Sequence, residues 1–185
     1  MANIRVFVAL ELPGAVGLQV AEVAKDLRHL DQVRWVRQEG VHLTLKFLGD
    51  IDKRILPKVV DVVKQVTARF QPLMLATADL GAFPKHDKAQ VLWLGVTGDI
   101  DLLKTLQEQI DVALESIGFK PERRKFKAHI TVGRVRRKPV KIDKRALKVL
   151  RPIHFSIDRV SVMKSDLHPD GAVYTPMGYG LLGGG

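Results

Sequence analysis

Two pairs of residues in this sequence have the types and spacing to do chemistry: His42 with Thr44, and His129 with Thr131. Each pair sits in an otherwise apolar stretch, Val41-His42-Leu43-Thr44-Leu45-Lys46-Phe47-Leu48-Gly49 and Ala128-His129-Ile130-Thr131-Val132-Gly133-Arg134. In a β-strand residues i and i+2 share a face, so each histidine should project with its threonine, while Leu43, Leu45 and Phe47 pack on the opposite side. Core packing asks for neither polar residue. One His-x-Thr is a weak signal, because a strand histidine is commonly a hydrogen-bonded, partly buried residue and threonine an ordinary β-former. Two matched copies point to one site built from both.

If a pseudo-two-fold axis passes between the strands, His42 and His129 face each other across a cleft. That arrangement suits phosphoester chemistry. In an in-line displacement at phosphorus the nucleophile and leaving group lie on opposite sides, so a general base and a general acid are needed on opposite sides. An imidazole with an ordinary pKa of about 6.5 can serve as either near neutral pH. The Thr44 and Thr131 hydroxyls can donate to the non-bridging oxygens as charge develops. Such a pair works without a metal or other cofactor. Two histidines lacking Asp, Glu or Cys partners at ligand spacing make a poor zinc site, and no Walker-type phosphate loop is present.

The 185 residues suffice for a sizeable core in one domain or two small lobes. A hydrophobic fraction of 46% and a charged fraction of 27% are those of a globular protein. No apolar run approaches the roughly 20 residues needed to span a bilayer, and the start reads as a strand rather than a signal peptide, so a cytoplasmic protein is expected. Cysteine is absent, which removes disulfides, thiolate catalysis and Cys-based zinc sites. The net charge of +10 is concentrated: residues 120–151 carry 14 Lys/Arg against Glu122 and Asp143, whereas the remainder has 16 basic and 18 acidic residues. A local basic excess fits a polyanion such as nucleic acid, and this one brackets His129 and Thr131.

The elements that must position these side chains follow from periodicity. Residues 4–10 form a first strand, and apolar positions Val16, Val20, Val23, Ala24 and Leu27 predict a helix to about Leu30. Arg34-Trp35-Val36 is a short strand, residues 38–40 a turn, and 41–48 the first motif strand, ended by Gly49-Asp50. A second helix carries Ile55, Val59, Val62, Val63 and Val66, with Pro57 in its first turn. Residues 73–83 and 90–97 make a loosely connected hairpin. Asp99 is the expected cap of a third, long helix stopped by Gly118. The basic segment then supplies the His129 strand, a loop at 136–140 and a short helix over 143–150. Strands at about 153–164 and 172–175 complete the fold.

Ile51-Asp52-Lys53-Arg54 and Ile142-Asp143-Lys144-Arg145 follow the two motif strands and form a weak internal repeat. Residues 1–182 are therefore expected to form a single bilobal α+β domain, its two lobes of mostly antiparallel sheet related by a pseudo-two-fold axis with helices outside. Residues 183–185 form a flexible glycine tail.

Taken together, Arg5-Val6-Phe7-Val8-Ala9-Leu10-Glu11-Leu12-Pro13, Arg34-Trp35-Val36, His42 to Gly49, Gly81-Ala82-Phe83-Pro84, Val91-Leu92-Trp93-Leu94-Gly95-Val96 and His129 to Arg134 resemble the 2H phosphoesterases, within them the RNA 2′,3′-cyclic phosphodiesterases also called 2′-5′ RNA ligases. The resemblance implies a bilobal fold with the histidines in a central cleft. It also implies hydrolysis of a terminal 2′,3′-cyclic phosphate to a 2′-phosphate, with His42 protonating the leaving O3′ and His129 activating water. The expected partner is an RNA end or nucleotide bearing that group, taken up by a monomer. The ending Tyr174-Thr175-Pro176-Met177-Gly178-Tyr179-Gly180-Leu181-Leu182 departs from the Arg-Phe-Pro-Leu-like ending of relatives.

Arg134 matches an arginine found after the second motif in that family, although strict alternation puts Gly133 on the catalytic face unless a bulge re-aims the strand. Lys46 shares parity with His42 and Thr44 and is the second candidate to reach substrate. His29, His86, His154 and His168 lack a repeated context and are expected on the surface or in turns. Two other readings stay open: a 2′-5′ RNA ligase or small-nucleotide cyclic phosphodiesterase in the same fold, and an RNA-binding module that uses the basic segment without catalysis.

Overall fold

The first strand, β1 (Asn3–Glu11), is buried along five consecutive residues, Val6 to Leu10, so both of its faces are covered. Val6, Val8 and Leu10 point into the main core, whereas Phe7 and Ala9 join Met163 in a small second cluster on the other face. The computed structural model describes residues 3–143, 150–169 and 171–183. Within them β1 is an inner strand of a four-stranded antiparallel sheet, flanked by β3 (His42–Asp52) and β8 (Arg159–His168), with β9 (Gly171–Leu181) beyond β8. A five-stranded antiparallel sheet has the order β2 (Val33–Trp35), β6 (His129–Val135), β5 (Val91–Gly98), β4 (Leu73–Phe83), β7 (His154–Ile157).

Three α-helices among the described residues cover these sheets: α1 (Gly14–Asp26), α2 (Leu56–Thr67) and α3 (Ile100–Glu115). The periodic stripes read from the sequence are the ones buried, Val59, Val63 and Val66 on α2 and Leu103, Leu106, Ile110 and Leu114 on α3. Each such side chain contributes about 1.5–3 kcal/mol by leaving water, and one continuous core joins both sheets. Helix α2 packs on β8 and β9. It can lie close because β9 offers glycines: a Cβ on Gly178 would stand 2.7 Å from Val60 Cγ2, and one on Gly180 2.9 Å from Lys64 Cα.

Several boundaries differ from expectation. Helix α1 ends at Asp26, since Leu27 already leaves helical geometry. Strand β3 runs through Gly49, whose φ of +76° accompanies a register shift against β1, so the glycine makes a bulge and not a stop. Asp99 makes no side-chain cap on α3; its carboxylate instead accepts the Met74 N–H of β4 at 2.8 Å. The strand expected over 153–164 breaks at Asp158 into β7 and β8, which belong to different sheets. The final strand is far longer than 172–175. The short helix expected over 143–150 falls almost wholly on residues 144–149, outside the described residues, as do Lys144 and Arg145 of the repeat. Gly183 donates its N–H to the Phe70 carbonyl at 2.6 Å, and 184–185 lie outside the described residues. No helix among the described residues is long and apolar enough to cross a membrane.

Candidate active site

Both motif strands carry a bulge directly after the threonine. Along β3, Thr44 pairs with Ala9 but Lys46 with Val8, leaving Leu45 unopposed; along β6, Thr131 pairs with Trp93 but Gly133 with Leu92, leaving Val132 unopposed. An extra residue reverses the alternation that follows it. The cleft face therefore reads His42, Thr44, Phe47 on one strand and His129, Thr131, Arg134 on the other.

This reversal decides three of the sequence expectations. Arg134 is re-aimed into the cleft, where it lines the same cavity as His42, Thr44 and Thr131. Gly133 turns inward, and a Cβ there would meet Trp35 Cε3 at 2.9 Å. Lys46 does not reach the cleft: its ammonium is buried, ion-paired with Asp111 of α3 and donating to the Lys120 carbonyl at 2.8 Å. The other Asp111 oxygen accepts the Glu122 N–H at 2.9 Å, so the pair ties α3 and the basic segment to β3. Phe47, expected to pack inward, is 69% exposed at the cavity. It occupies the position on β3 that Arg134 occupies on β6.

Each imidazole is oriented from behind. His42 Nδ1 donates to the Gly40 carbonyl at 2.8 Å, and His129 Nδ1 donates to the Lys127 carbonyl at 2.7 Å. A carbonyl can only accept, so Nδ1 carries a proton in both rings and Nε2 is left for proton transfer. Aromatic rings hold them laterally: Phe7 and Tyr174 each lie with centroids 4.9 Å from His42. Phe83 and Trp93 lie 5.2 and 6.3 Å from His129. The Lys127 ammonium stands 4.3 Å from the Trp93 centroid.

Burial pushes both imidazoles below their ordinary value, with the carbonyl hydrogen bond opposing it in each ring. Arg134 lowers both further; a charged His129 lowers His42, and Lys127 lowers His129. Arg134 thus acts electrostatically on both halves of the site.

The cavity between the sheets measures about 260 Å³ and is lined by His42, Thr44, Phe47, Thr131, Arg134 and Tyr174, with Arg5, Phe7, Ser165 and Leu167 at its edges. The remaining histidines lie elsewhere: His29, His154 and His168 are exposed, and His86 is half-buried in a turn. The described residues contain no group of three or more His, Asp or Glu side chains placed to hold a metal ion.

Sequence reasoning missed the aromatic walls as site residues. Phe83 and Trp93 sit in stretches that carried the resemblance, but their contact with His129 depends on sheet order. Tyr174 reaches His42 only because β9 folds back into the first sheet.

Two antiparallel sheets bringing duplicated His-x-Thr strands to one cleft are the architecture of a 2H phosphoesterase. A family model described as LigT-like phosphoesterase matches residues 10–93 and again residues 94–174, one match for each motif, and the chain belongs to this family. Among its relatives, a protein of Methanothermobacter thermautotrophicus named RNA 2′,3′-cyclic phosphodiesterase is 32% identical over 95% of this chain and 97% of that protein. One of Thermotoga maritima with the same name is 31% identical over 92% of this chain and 91% of its own length. The fold matches that of a Thermus thermophilus protein, TT0787 (TM-score 0.80, 22% identity, 97% of this chain and 98% of that one). It also matches E. coli LigT in a complex with 3′-AMP (TM-score 0.79, 21% identity, 98% and 99%).

Proposed function

We propose that this protein hydrolyses the 2′,3′-cyclic phosphate at an RNA end to a 2′-phosphomonoester, using His42 as acid and His129 as base. One observation carries the reading: two imidazoles, both fixed through Nδ1 with Nε2 left free, lie close enough for a charged His129 to act on His42, and the cavity that His42 lines is also lined by both motif threonines and Arg134. The curated relatives' shared name supports the substrate class.

His129 Nε2 takes a proton from water as the water oxygen bonds to phosphorus. The P–O3′ bond breaks opposite, and O3′ takes the proton from His42 Nε2, leaving a 3′-hydroxyl and a 2′-phosphate. Thr44 and Thr131 donate to the non-bridging oxygens, and Arg134 neutralises charge gathering there. The symmetric pair leaves the roles open, and the assignment proposed is the one that the family resemblance implies. Burial favours the neutral form of His42, but an anionic phosphodiester beside it favours the imidazolium, so substrate binding loads the acid. Both proton-transfer groups are side chains, so turnover is metal-independent.

The test is turnover of an oligoribonucleotide ending in a 2′,3′-cyclic phosphate, with and without EDTA. His42→Ala and His129→Ala should each lower kcat by at least about 10²-fold, with the wild-type rate unchanged by chelation. Full activity in either variant, or its loss on chelation, refutes the mechanism.

A further inference from the structure

The catalytic cavity does not end at Gly40. A second, larger space of about 440 Å³ continues from it, sharing Val36, Gly40, Arg134, Ala172 and Tyr174 with the first. Its remaining walls come from β2 with the segment that follows it and from the start of β9: Arg34, Trp35, Arg37 and Glu39 on one side, Gly171 and Val173 on the other. Three arginines against one carboxylate make it cationic. Trp35, Tyr174 and Val173 give it aromatic and apolar surface, and Val173 is 49% exposed although it lies in a strand.

We propose that this groove is a subsite for the nucleotide preceding the cyclic-phosphate end. The inference rests on the reading of the catalytic site given above. Alternating arginine and aromatic surface is what a single-stranded nucleotide needs, since guanidinium groups meet the phosphodiester while rings stack on the base. A chain that ends in a cyclic phosphate has only one way to continue, and a terminal nucleotide in the first cavity can extend its 5′ side into the second. Arg134 and Tyr174 line both spaces, so one cation stands between consecutive phosphates. The Arg34 guanidinium donates to the Pro169 carbonyl at 2.6 Å, which ties β2 to the residue after β8. Arg37 is exposed and has no carboxylate partner among the described residues, leaving it for the phosphate. The protein therefore discriminates RNA ends from free nucleoside cyclic phosphates.

The experiment compares kcat/KM for a nucleoside 2′,3′-cyclic phosphate and for a dinucleotide ending in the same group, in wild type, Arg37→Ala and Arg37→Glu. Arg37 is outside the catalytic cavity, and neither change disturbs the core. Wild type should prefer the dinucleotide by about tenfold or more, the size of one stacked and phosphate-contacted nucleotide. Arg37→Glu should remove most of that preference, chiefly through KM, with mononucleotide turnover held. Equal wild-type values for the two substrates, or an equal loss on both in the variants, overturns the subsite while leaving the catalytic reading intact. No turnover of either substrate overturns that reading and the subsite with it.

Discussion

Gly40 and Lys127 stand at equivalent positions just before the two motif strands, the carbonyl of each accepting the Nδ1–H of the histidine two residues on, at 2.8 and 2.7 Å. Their side chains break the symmetry. Gly40 has none, and a Cβ there would lie 3.3 Å from Tyr174 Cε2. Lys127 places its ammonium 4.3 Å from the Trp93 centroid and 5.2 Å from that of Phe83, the rings that flank His129. One imidazole has a cation at its back and the other has not, which favours the neutral form of His129, the form a base needs. Lys127→Met keeps the carbonyl and most of the stem but removes the charge. The imidazolium is then less disfavoured, the pKa of His129 rises, and the acidic limb of the kcat/KM profile should move to higher pH. Lys127→Arg should leave the limb where wild type has it, and an unmoved limb in Lys127→Met rejects the coupling.

The pH optimum follows from the same burial. In the proposed mechanism base action needs neutral His129 and is lost as pH falls through its pKa; acid action needs charged His42 and is lost as pH rises through its own. Both values are lowered in the free protein, so the bell-shaped kcat/KM profile should centre below the ordinary imidazole value of about 6.5. The kcat profile should extend further to the basic side, because bound phosphate raises His42. The two apparent pKa values belong to the pair. A kcat/KM optimum above the ordinary imidazole value of about 6.5 would contradict this.

Thr44→Val and Thr131→Val keep the β-branched shape and remove one donor each. In the proposed mechanism both hydroxyls face charge that develops during the displacement, so each loss should fall mainly on kcat, by about 10²-fold, with the far-UV spectrum unchanged. A change confined to KM would place them in ground-state binding instead.

Lys46 and Asp111 form a buried pair, with side chains 5% and 11% exposed. Lys46→Met strands a carboxylate in the core and should cost about 3–5 kcal/mol in urea unfolding, whereas the Lys46→Met/Asp111→Leu double variant should recover much of that loss. Activity per folded molecule should stay within a few-fold of wild type. A large catalytic defect with normal stability would return Lys46 to the substrate.

Gly180→Ala should destabilise by about 1–3 kcal/mol through overpacking against Lys64 and Thr67 of α2. The same measurement on Gly49→Ala probes a different cause, since the strain there comes from a φ of +76° with open space around the Cβ position.

Much of the fold and half of the site geometry were legible from local pattern. Helical periodicity located the buried stripes of α2 and α3, and the duplication of His-x-Thr named the paired threonines as well as the histidines, because a two-residue spacing on a strand is a local property. Parity beyond the threonines was not legible. Whether Lys46 or Phe47, and Gly133 or Arg134, faces the cleft depends on one unopposed residue in each strand, and a bulge is a relation to the neighbouring strand that leaves no mark in the strand's own composition.

Sheet membership was equally out of reach. β2 joins the second sheet, while β8 and β9 return from the chain's end to the first, and that return brings Tyr174 to His42 and Gly178 and Gly180 beneath α2. From the residues alone one could read two matched half-sites and the chemistry they suit. Only long-range pairing could decide which other side chains surround each half and make the two histidines unequal, because those contacts join residues far apart in sequence.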